Sequence, residues 1–87
     1  MDPKVLAASL ALLSSSLDDA VADLELLLED GSDADDGAFA KARAREVEAS
    51  YAKLLAALSG AERARLEAEL GPRVAGMQAL VKQLPQF

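Results

Sequence analysis

From residue 3 to residue 30, apolar side chains recur at Leu6, Leu10, Leu13, Leu17, Ala20, Leu24 and Leu27. The intervals alternate four and three residues, the heptad spacing of a helix that lies along other helices. Asp2–Pro3 marks its start, because Asp accepts bonds from orphan amides and Pro fits the first helical position. At 1.5 Å per residue this helix is about 42 Å long. A second line, Ala40, Ala44, Val47, Tyr51, Leu54 and Leu58, predicts a helix over 38–58. Between the two, the Gly, Ser and Asp residues of 31–37 favour a turn.

A third apolar line runs through Leu66, Leu70, Val74, Met77, Val81 and Leu84, with Leu80 beside it. Ser59 and Glu62 have the spacing of a capping box, which places a helix start near residue 60. Gly71–Pro72 then interrupts the pattern, Gly suiting a helix end and Pro a helix start. The expected elements are therefore helices over 60–70 and 72–84, read as one kinked helix or two in tandem. Residues 85–87 form a short tail, with Phe87 either frayed or pinned on the bundle end.

Folding the chain back at 31–37 makes position i face roughly position 68−i. Leu10 then meets Leu58, Leu17 meets Tyr51, Ala20 meets Val47 and Leu24 meets Ala44. The large side chains late in the first helix face alanines, so the volumes are complementary. Charge points to the same hairpin. Residues 1–36 carry ten acids and one base, and residues 37–87 carry five acids and eight bases. Asp23, Glu25 and Glu29 sit at the helix end that disfavours acids, and Lys41, Arg43 and Arg45 at the end that disfavours bases. Side by side in an antiparallel pair, each set offsets the other.

Composition strengthens the helical reading. The chain has 19 Ala and 16 Leu, with five Val as its only β-branched residues. Ala and Leu are strong helix formers, whereas β-branched residues favour strands. An all-α fold follows: a small antiparallel three-helix bundle, formed as a single domain by all 87 residues.

Charge and residue inventory narrow the function classes. A net charge of −6 disfavours nucleic acid and anionic membrane as partners. The absence of His and Cys removes the commonest general base, disulfides and cysteine-ligated metals. The acidic turn fails as a calcium loop. With Gly37 aligned to the loop glycine, Ser32, Ala34 and Asp36 take the first three ligand positions, and Arg43 stands where a bidentate Glu belongs. No glycine-rich phosphate loop is present. Asp18–Asp19 reads as a solvated helix face rather than an acid–base pair. Ser14, Ser15 and Ser16 read as small residues facing solvent, the alternative being a close helix crossing. Tyr51 and Met77 read as core residues. No cofactor and no metal is expected, and an enzyme is not.

The apolar run from Val5 to Leu13 follows only Lys4 and ends in three serines, unlike a secretory signal. Nothing approaches the ~20 apolar residues of a membrane span. The expectation is an intracellular, cytoplasmic protein, with the nucleus left open.

What remains is surface. The first helix carries more apolar side chains than one seam needs. Val5, Leu12 and Leu26 flank the seam on one side, and Val21 and Leu28 lie on the other. Leu12, Val21, Leu26 and Leu28 are the candidate protein-interaction residues; an internal three-helix core would claim the same side chains. The expected function is a non-enzymatic interaction module, a small subunit, adaptor or chaperone of a larger helical complex. Its partner would be a helical protein with a basic patch. The alternative is a structural homo-oligomer with no separate partner.

Overall fold

Three helices account for nearly all of the chain in a computed structural model that describes residues 2–30 and 34–84. They are α1 Pro3–Asp30, α2 Ala34–Ala57 and α3 Gly60–Gln83. The tail 85–87 and residues 31–33 of the expected turn lie outside the described residues.

α1 begins as its sequence predicts. The Asp2 carboxylate accepts a hydrogen bond from the Lys4 amide at 2.8 Å, and the Asp2 carbonyl accepts one from the Leu6 amide at 2.9 Å. α2 begins four residues before the predicted position 38. Asp35 and Asp36 fall in its first turn, where acids favour the helix dipole. Gly37, expected in the turn, is buried in that same turn and extends the Ala40–Ala44 seam by one step. Its conformational permissiveness suggested a loop, but its place on the apolar seam decides the outcome.

α2 closes with a tight turn, the Leu58 amide donating to the Leu55 carbonyl at 3.3 Å. The chain then reverses through Ser59 and Gly60. Gly60 has φ +62°, the left-handed region that glycine enters without steric cost. Ser59 occupies the N-cap position, yet its side chain makes no capping bond, contrary to the predicted capping box. The residue directly after it, Gly60, has left-handed rather than helical backbone geometry.

Of the two readings of the third segment, a single helix is observed and two helices in tandem are not. α3 runs unbroken from Gly60 to Gln83 with Pro72 inside it. Pro72 has no N–H, so the Ala68 carbonyl lacks its usual donor. Both residues are exposed, which leaves that carbonyl open to water. Leu66 and Leu70 before the proline, and Val74 and Met77 after it, are all buried against the hairpin. Burying four apolar side chains, each worth about 1.5–3 kcal/mol, outweighs the roughly 3 kcal/mol proline penalty. Gly71 lies close to α2: a Cβ there would stand 3.4 Å from the Tyr51 hydroxyl.

α3 lies parallel to α1, with Arg73 reaching Ser14 and Asp18. The bundle measures 42 × 18 × 17 Å, so its length matches the rise of α1. The core takes Leu13, Leu17, Ala20 and Leu24 from α1, and Ala40, Ala44, Val47 and Leu54 from α2. Leu17, Leu24 and Met77 are its largest fully buried side chains. Tyr51 is half-buried at the core edge.

The charge-based hairpin is also present, slightly shifted. Asp23 pairs with Arg43 at 2.6 Å, whereas the 68−i rule puts Arg45 opposite. Two residues is just over half a helical turn: Arg43 is half-buried on the side of α2 that meets α1, whereas Arg45 is exposed.

Candidate protein-interaction surface

The four candidate residues of α1 separate onto two faces. Val21 and Leu28 are half-buried and pack against the core cluster. Val21 looks toward α3, beside Arg73, Met77 and Leu80. Leu12 and Leu26 remain open, 71% and 56% exposed. Both look toward α2.

The α1–α2 surface is a groove of three consecutive depressions, lined by those two helices alone. The first, about 340 Å³, has Leu12 facing Lys53 and Ala57. The second, about 240 Å³, brings Asp19 together with Arg43, Glu46 and Ser50. The third, about 290 Å³, joins Leu26 to Phe39. The Asp23–Arg43 ion pair bridges the second and third depressions. The groove is therefore mostly apolar at its ends, where Lys53 on one side and Asp23 and Asp36 on the other also line it, and charged in the middle.

Phe39 was not predicted. It is 63% exposed, and the Arg43 guanidinium lies over its ring at 5.3 Å from the centroid. The sequence does contain a signal for it. Phe39 is a lone large aromatic one position off the Ala40 seam, in a stretch of small and charged residues. Such a residue has no place in the predicted core.

The serine run divides in the same way. The Ser14 hydroxyl accepts a bond from Arg73 at 3.0 Å. Ser15 is exposed, and Ser16 lines the α1–α2 groove. Asp18 pairs with Arg73 toward α3, whereas the adjacent Asp19 points into the groove toward α2. The two carboxylates serve different faces, so they do not form an acid–base pair. Among the described residues, no group of three or more His, Cys, Asp or Glu is placed to hold a metal ion.

One expectation is corrected by α1 as a whole. From Pro3 to Glu29 it is long and apolar enough to cross a membrane, and only 17% of its most apolar stretch is buried. The three serines interrupt the apolar run, but the Ala and Leu residues on both sides keep the mean hydropathy of the helix high. By length and composition α1 is an apolar helix.

No protein-family model, curated protein or solved structure matches the chain.

Proposed function

We propose that the protein is a non-enzymatic interaction module, a small helical subunit, adaptor or chaperone that docks another protein on the α1–α2 groove. The observation that carries this reading is the alignment of Leu12, Leu26 and Phe39, all more than half exposed, along one groove. Leu26 and Phe39 share one depression, and apolar side chains gathered in this way are a common feature of contact sites. A membrane is the competing occupant of an apolar helix. Spanning would place Asp18 and Asp19 deep in hydrocarbon and strip Leu17 and Leu24 from the core, and both are costly. The net charge of −6 weighs against nucleic acid.

A second reading, a self-assembling homo-oligomer, draws on the total surface. The chain exposes 5580 Å², against roughly 4,900 Å² expected of a 9.1 kDa monomer.

Two measurements decide between them. Sedimentation equilibrium at several concentrations reports self-association. Capture from the native host compares wild type with Leu12→Asp and Leu26→Asp. The module reading expects a monomer whose partner is lost from both variants. A monomer that captures nothing would sink it.

A further inference from the structure

The groove also constrains what its occupant looks like. Leu12, Asp19 and Leu26 are seven residues apart in turn, so they form one straight line on α1. Leu12 and Leu26 stand about 21 Å apart along the axis at 1.5 Å per residue. Midway, Asp19 and Glu46 share one depression, and neither has an ion pair among the described residues. The nearby base, Arg43, is engaged by Asp23 and stacked on Phe39. The centre of the groove therefore holds two acids with no ion pair among the described residues, between Leu12 at one end and Leu26 with Phe39 at the other.

A second copy of the chain fits this surface poorly. A two-fold axis that pairs Leu12 of one copy with Leu26 of the other must pass through Asp19. It sets Asp19 against Asp19, and like charges face to face oppose binding. A neutral lipid surface offers nothing to two acids. A helix from another protein, with a cation between its apolar anchors, satisfies both features.

We infer that the α1–α2 groove takes an amphipathic helix bearing two apolar anchors about two heptads apart and a Lys or Arg midway between them. The anchors pack at Leu12 and at Leu26–Phe39, and the cation meets Asp19 and Glu46. This inference rests on the interaction-module reading and adds the chemistry of the partner to it.

The test uses the full chain and two synthetic helices of about 20 residues, each stapled on its far face. Both carry Leu anchors two heptads apart; the central residue is Lys in one and Glu in the other. Fluorescence anisotropy is expected to show the Lys helix binding about fivefold tighter than the Glu helix. Combining Asp19→Lys with Glu46→Lys should invert that order, with an unchanged circular dichroism spectrum. Equal affinities, or a preference for Glu, overturn the inference. So does self-association abolished by Leu12→Asp, which makes a second copy the occupant. So does adsorption to phosphatidylcholine vesicles abolished by the same change. If neither helix binds, the inference falls; the module reading survives only if a native partner is still captured and is lost from Leu12→Asp.

Discussion

Leu17 and Leu12 show how position alone sets the role of a residue. They are the same side chain on the same helix, yet one is fully buried and the other is 71% exposed. Leu17→Ala should cost about 2–5 kcal/mol in denaturant unfolding, through lost burial and the cavity left behind. Leu12→Ala should change stability by no more than about 0.5 kcal/mol. Equal losses at the two positions would contradict the burial pattern. Gly60 carries a different constraint. Its φ of +62° has open space around it, so no neighbour requires glycine there; the backbone does. Gly60→Ala should cost about 1–2 kcal/mol from the left-handed conformation alone, read from the urea midpoint.

The helices owe their extent to different balances. α1 follows its heptads from a capped start to Asp30, and its bounds agree with the expectation. α2 gains a turn because Asp35 and Asp36 favour its N-terminus and Gly37 finds a buried place. α3 survives Pro72 because the residues on both sides of it are anchored in one core. Pro72 is exposed and contributes only its backbone defect, so Pro72→Ala should restore the missing amide bond. The expected gain is up to about 3 kcal/mol, seen as a higher melting temperature. A variant no more stable than wild type would mean that the break is already relaxed. The ion pair joining α1 to α2 has a smaller role. Asp23 and Arg43 are each about 40% solvent-exposed (42% and 38%), so their coupling in a double-mutant cycle should be about 0.2–1 kcal/mol and should fall with added salt. Its significance is register rather than stability.

At the scale of the whole molecule, three helices leave one side of α1 unfinished. Val21 and Leu28 show the finished side, facing the core, and Leu12 and Leu26 the open side, facing a groove. The two pairs should therefore respond oppositely to charge. Val21→Asp and Leu28→Asp should lower the melting temperature by several degrees, because half-buried apolar surface is replaced by a carboxylate. Leu12→Asp and Leu26→Asp should leave melting nearly unchanged and abolish partner capture. If Leu12→Asp instead unfolds the protein, the groove is part of the fold and not a docking surface.

Heptad spacing, the Ala/Leu composition and the charge asymmetry were enough to establish a three-helix, up–down–up arrangement and the seam of each helix. Those are properties of local periodicity and of averages, and both are written along the chain. They also placed Leu12 and Leu26 on one flank and Val21 and Leu28 on the other. The tertiary structure decided which flank was covered, because α3 can lie on only one side of the α1–α2 hairpin. It also decided that Pro72 sits inside a helix and Gly37 in the core, since distant leucines outvote a local breaker. Phe39 stands apart from the periodic apolar line of its own helix. Its significance arises only when α1 brings Leu26 beside it.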